Sequence, residues 1–228
     1  MCIKSRFQEM KNEVIHAGYP GDNTRAMLRR MRKDVLSHEP SCVTILCGTN
    51  DAVNPRALVP LEEFTENLNS MVSAVRETET DLLLISPLPV FSPEVIERYG
   101  FNLPPDTDLN PEIMKYARAM RLLAERLGVP YLNLFHIFAE TGMVGADRRS
   151  LIRNEANSGT KDGAHPTEDG YRFIAALVYL ALRDNRCDCS RLVCFGDSIT
   201  YGYPYSGMGN TRRRQLPRTA RQTSQHRI

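Results

Sequence analysis

The chain reads as an α/β protein built on a parallel β-sheet with helices on both faces. Two observations predict this class. Short apolar runs at 43–46, 82–85 and 192–195 alternate with helix-length amphipathic stretches, an order in which crossover helices join successive parallel strands. Several of those runs also stop abruptly in polar, Gly-containing loops, and in such sheets ligands bind outside the carboxyl ends of the strands.

In chain order, residues 4–13 are predicted as a short helix with Phe7 and Met10 inward, and 14–16 as a short strand. The loop 17–24 carries Gly18, Pro20 and Gly21, and Asp22, Asn23 and Thr24 offer N-caps for a helix to about residue 36. A buried strand over 43–46 runs into Cys47-Gly48-Thr49-Asn50-Asp51. The helix over 61–76 places Phe64, Leu68, Met71, Val72 and Val75 at helical spacing. A third strand covers 82–85. Residues 86–111 hold prolines at 87, 89, 93, 104, 105 and 111 among Phe91, Tyr99 and Phe101, too irregular for a core element, and are expected to form a cap or lid loop. A helix over 112–127 ends on Gly128, and 130–134 makes the fourth strand. A polar excursion from about residue 141 leads to Lys161-Asp162-Gly163-Ala164-His165-Pro166. Thr167 caps the next helix, which carries Tyr171, Ile174, Ala175, Val178 and Leu182 along one side, and a connector over 183–190 enters the fifth strand, which stops at Gly196-Asp197-Ser198.

The 228 residues, 42% of them hydrophobic, suffice for one sizeable core and would be cramped as two full domains. A single domain over 1–205 is expected, with a tail over 206–228. No apolar run is long enough to span a membrane and the N-terminus lacks a secretory apolar stretch, so a cytoplasmic protein is expected. The formal charge of +2 divides into +6 on residues 198–228, where six Arg meet no acid, and −4 on the rest. That tail reads as disordered and solvated rather than as a nucleic-acid contact, since no aromatic platform accompanies its arginines. Cys42, Cys47 and Cys194 fall in or beside apolar runs, and the six cysteines form no regular framework, which favours reduced thiols. Cys187-x-Cys189 is half a zinc site without a second half. No metal and no cofactor are expected.

A serine hydroxyl is a weak nucleophile until a base takes its proton. Ser198 stands where a buried strand stops, and His165 lies in a Gly/Pro loop with Asp162 three residues earlier, the residue types of a hydrolytic triad. The backbone N–H groups of Ser198 and Gly21 and the Asn50 amide are candidate donors for an oxyanion. Taken singly, each residue also fits a plainer role: Gly-Asp-Ser as a turn with a helix N-cap, Gly21 as a tight turn, Asn50 as an Asx turn, Asp162 and His165 as a surface pair. Their conjunction makes the case for catalysis.

The blocks Phe195-Gly196-Asp197-Ser198-Ile199-Thr200, Gly18-x-x-Gly21-Asp22-x-Thr24, Gly48-Thr49-Asn50-Asp51 and Asp162-x-x-His165-Pro166 resemble the four signature blocks of the SGNH (GDSL-type) hydrolases. The resemblance implies a three-layer α/β/α sandwich with a flavodoxin-like five-stranded parallel sheet, and a metal-free serine esterase. It implies Ser198 as nucleophile, His165 as base, Asp162 as its partner, and Ser198, Gly21 and Asn50 as the oxyanion hole. Two departures stand out. The Gly-Asp-Ser block comes last where the family has it first, as in a circular permutation that would seat the strand before Ser198 between the strands starting near Val14 and Val43, and His16 stands where relatives often carry Asn. The permuted order admits three arrangements: Ser198 closing on its own chain, Ser198 entering a partner in a swapped homodimer, or a misassembled tandem sequence. A small-molecule carboxylic ester is the expected substrate, with Asp197, Phe91 and Tyr99 as candidate contacts to it. A thioesterase or lysophospholipase, a carbohydrate O-deacetylase, and an inactive scaffold keeping the fold are the alternatives.

Overall fold

The computed structural model describes residues 13–104 and 106–205. The expected helix over 4–13 and the Arg-rich tail lie outside them, except that Glu13 opens a strand instead of closing a helix. Five parallel strands form one sheet: β1 (Glu13–Gly18), β2 (Cys42–Leu46), β3 (Asp81–Ile85), β4 (Tyr131–Leu132) and β5 (Arg191–Gly196). Their spatial order is β1-β5-β2-β3-β4. The last strand therefore lies between the first two, with Gly196 opposite Gly18 on one side and Leu46 on the other.

Alternation along the buried strands divides the core. Val43, Ile45, Leu82, Leu84, Val193 and Phe195 face one layer, which comprises α1 (Thr24–Asp34), α3 (Leu61–Arg76) and α5 (Asn110–Leu127). Cys42, Leu46, Leu83, Ile85 and Leu192 face the other, where α6 (Leu134–Glu140) and α8 (Glu168–Asp184) contribute Leu134, Phe138, Ile174 and Leu182. This is the three-layer sandwich that the apolar runs predict, since strands covered on both faces lose the polar half of their alternation.

Two expectations fail locally. The expected lid over 86–111 contains an ordered helix, α4 (Ser92–Tyr99), which buries Val95 and Ile96 in the core. Its Pro93 sits in the first turn, where the missing N–H has no acceptor to lose and the fixed φ suits a helix. The fourth strand is two residues long, because Asn133 accepts a hydrogen bond from His136 N and caps α6, turning Leu134 and Phe135 into helix. Among the described residues, no helix is long and apolar enough to cross a membrane.

Candidate active site

The β5–α9 corner sets the position of Ser198. Asp197 caps α9 (Ser198–Tyr201), its Oδ1 accepting from Ile199 N at 2.9 Å. A Cβ on Gly196 would lie 2.1 Å from Thr200 Oγ1 and 2.5 Å from Leu46 O, so only glycine lets α9 fold back so closely onto the strand end. Ser198 occupies the first turn of that helix, where backbone N–H groups have no intrahelical acceptor.

His165 Nε2 lies 2.9 Å from Ser198 Oγ, and His165 Nδ1 lies 2.8 Å from Asp162 Oδ1. With the proton on Nδ1 donated to Asp162, Nε2 presents its lone pair to the serine O–H. One chain supplies all three groups.

Asp162 is heavily coordinated. Its Oδ1 also accepts from the backbone N–H of His165 and Ala164 and from Arg98 Nη1, while Oδ2 accepts from Arg153 Nη1 at 3.1 Å. Burial by itself would raise this carboxyl. The hydrogen bonds and charge of His165, with Arg98 beside it, more than reverse that and hold it at about 2. The loop is anchored from α4, whose Glu94 accepts from the backbone N–H of Asp162 and of Glu155, the first residue of α7 (Glu155–Ser158). The segment expected to be a lid is thus a support for the loop that carries Asp162 and His165.

The opposite wall carries the expected donors. Gly21 adopts φ +84°, a left-handed conformation that suits glycine. Asn50 Nδ2 donates to Asp22 O at 2.8 Å, and its Oδ1 accepts from Asn54 Nδ2 at 2.9 Å, which fixes the amide's orientation. Nδ2 has two hydrogens, and its other neighbour, Asp197 Oδ2, stands at 3.5 Å. Arg30 ties this wall to the sheet. It pairs with Asp22, donates to Ala17 O and Gly196 O at 2.9 and 2.8 Å, and stacks over Phe195 at 4.5 Å.

Gly21, Asn50, His165 and Ser198 line one cavity of about 380 Å³, together with Arg56, Arg98, Tyr99 and Tyr203. Of the expected substrate contacts, Tyr99 lines this cavity. Asp197 reaches its wall but is only 1% exposed. Phe91 does not reach it: just ahead of α4, its N–H donates to Gly163 O of the acid loop at 2.7 Å, and it lines a separate groove with Pro89 and Phe135. His16 is exposed, with its ring edge against Tyr201. Sequence reasoning missed Arg98, Arg153, Asn54 and Tyr203. Tyr203 packs its ring 4.6 Å from that of His165, and only its position just after the Gly-Asp-Ser block offered a signal. Among the described residues, no group of three or more His, Cys, Asp or Glu is arranged to hold a metal.

Residues 3–173 match the model of the GDSL-like lipase/acylhydrolase family. The chain is 31% identical over 184 residues to an isoamyl acetate-hydrolyzing esterase 1 homolog of Bos taurus, covering 74% of this chain and 68% of that protein. It is also 31% identical over 192 residues to a GDSL esterase/lipase of Arabidopsis thaliana, covering 76% and 74%. Among solved structures it is similar to a lipase/acylhydrolase from Enterococcus faecalis (TM-score 0.55, 23% identity, 73% of both chains). An acetyl xylan esterase shares the fold as well (TM-score 0.59, 21% identity, 73% of this chain and 79% of that one). From the extent of the family match and the identity to these relatives, the chain belongs to the GDSL-like lipase/acylhydrolase family and is a hydrolase acting on ester bonds.

Proposed function

We propose that one domain over residues 1–205 hydrolyses small carboxylic esters through an acyl-Ser198 intermediate. The observation that carries this reading is the unbroken Ser198–His165–Asp162 relay at 2.9 and 2.8 Å. Ser198 Oγ attacks the ester carbonyl carbon as its proton passes to His165 Nε2, and the displaced electron pair moves onto the carbonyl oxygen. The N–H groups of Ser198 and Gly21 and the Asn50 amide receive that oxyanion; one such donor is worth roughly 3 to 4 kcal/mol in the transition state. The C–O bond then breaks and the departing alkoxide takes the proton from Nε2. Water repeats the sequence on the acyl-enzyme and releases the acid. Asp162 stays ionised throughout and stabilises the imidazolium.

The cavity of about 380 Å³ lies near the small end of ligand pockets. Relatives named for isoamyl acetate point the same way, to an acetyl or similarly short acyl group. The test is labelling by a fluorophosphonate. Wild-type protein should label, and Ser198→Ala and His165→Ala should not. A folded wild type that neither labels nor cleaves 4-nitrophenyl acetate would leave an inactive scaffold as the reading.

A further inference from the structure

We propose that the site is built for anionic esters: that Arg56 and Arg98, at the mouth of the cavity, bind a carboxylate or phosphate carried by the substrate close to its scissile bond. The inference rests on the hydrolase reading above and narrows its substrate class.

The charged groups that line the cavity are unevenly exposed. Arg56 is exposed on the turn after α2 (Thr49–Val53) and forms no ion pair among the described residues. Arg98 spends Nη1 on Asp162 but leaves Nε and Nη2 without a hydrogen-bond partner among the described residues, and 30% of its side chain is exposed. The carboxylates nearby are withdrawn: Asp197 is 1% exposed, Asp162 3% and Asp51 0%. A ligand entering the cavity therefore meets guanidinium donors and no accessible carboxylate. This is a local inversion, because residues 1–197 carry a formal charge of −4. Two planar donor forks suit a carboxylate or phosphate, and a positive mouth steers such ligands inward.

Catalysis supplies a second reason. Taking the serine proton makes His165 an imidazolium, and Arg98 Nη1 stands 3.2 Å from its Nδ1. A neighbouring cation opposes that charge. An anion bound across Arg56 and Arg98 offsets it, so a charged substrate gains in kcat as well as in KM.

The experiment compares matched pairs. For charge on the alcohol side, the pair is 4-acetoxybenzoate and its methyl ester. For charge on the acyl side, it is the 4-nitrophenyl monoester of adipic acid and 4-nitrophenyl hexanoate. The expected result is a kcat/KM at least tenfold higher for the anion in one pair or both, reduced severalfold by 0.5 M salt. Arg56→Gln should bring the ratio close to one, and Arg56→Glu below it; the residue is exposed, so both variants should fold. Ratios of one or less in both wild-type pairs, with Ser198-dependent cleavage of the neutral esters intact, overturn this inference and leave the hydrolase reading standing. A preference that survives Arg56→Glu overturns it equally. Absence of Ser198-dependent cleavage for all four esters sinks the hydrolase reading and this inference with it.

Discussion

Two buried aspartates flank the Ser198–His165 contact and are driven in opposite directions. Asp162, on the loop before α8, is 3% exposed and held at about 2. Asp197, at the end of β5, is 1% exposed and pushed up to about 7. Burial acts on both in the same sense, so it cannot explain the difference. Partners do. Asp162 receives His165, two guanidiniums and two backbone N–H groups. Asp197 is desolvated, receives the Ile199 N–H, and feels the charges of Asp51 and Asp22. Asp51 is itself raised to about 6 by burial, against its hydrogen bonds from Thr24, and its Oδ2 has no partner among the described residues. One wall of the site thus concentrates charge for the histidine, while the other stores carboxyls that resist ionisation.

The same isosteric change should therefore have opposite consequences on the two walls. Asp162→Asn is expected to lower kcat by about 10³-fold or more on 4-nitrophenyl acetate, because the amide cannot support the Nδ1–H tautomer or the imidazolium. A loss under tenfold in a folded variant would remove Asp162 from the relay. Its pKa lies below the unfolded value of 3.8, so its stabilising contribution is present above pH 4 and is lost as pH falls toward 2. In urea titrations, Asp162→Asn should accordingly destabilise at pH 7 more than at pH 3.

Asp197→Asn should stabilise. Its folded pKa lies above the unfolded 3.8, so the folded state resists ionisation and wild-type stability declines as pH rises from about 4 through 7. Each tenfold change in an ionisation equilibrium corresponds to about 1.4 kcal/mol, so the variant should gain on the order of 2 to 4 kcal/mol over wild type at pH 8 and little at pH 4. The amide oxygen can still cap α9. Equal effects at both pH values would show that Asp197 is ionised without cost and that the two walls do not differ as described.

A smaller effect sharpens the role of the second wall. Asn54→Ala removes the donor to Asn50 Oδ1 and frees that amide to turn, so kcat should fall about tenfold with KM within twofold. An unchanged kcat would mean that the Asp22 contact alone holds Asn50. The smallest effect belongs to Phe91, which lines the neighbouring groove. Phe91→Ala should alter kcat/KM on short esters less than twofold, and a larger change would extend the substrate path past α4.

Much of this site is legible in the chain because short segments carry it. Gly196-Asp197-Ser198 announces a strand end that opens a helix, Asp162 and His165 lie within one loop, and Asn23 and Thr167 cap the helices that follow their loops. What escapes reading joins residues far apart. Arg98 reaches Asp162 across 64 positions, Arg30 reaches Gly196 O across 166, and Glu94 holds the Asp162 backbone across 68. Exposed and paired arginines look alike in a string of letters. The helix α4 escaped for a local reason, as prolines that break a helix interior are harmless in its first turn.

From sequence alone come the α/β class, the strand–helix alternation and the residue types at each strand end, because hydrophobic period and turn chemistry are local properties. Local pattern leaves the strand order open, although the family resemblance implies β5 between β1 and β2, as observed; the tertiary structure alone decides that this brings Ser198 within 2.9 Å of His165. Strand order is a matter of long-range pairing, and every buried parallel strand presents the same apolar face to its neighbours. The structure also decides which of two equally buried aspartates keeps its charge, since charge state depends on the partners that folding supplies and not on the residue itself.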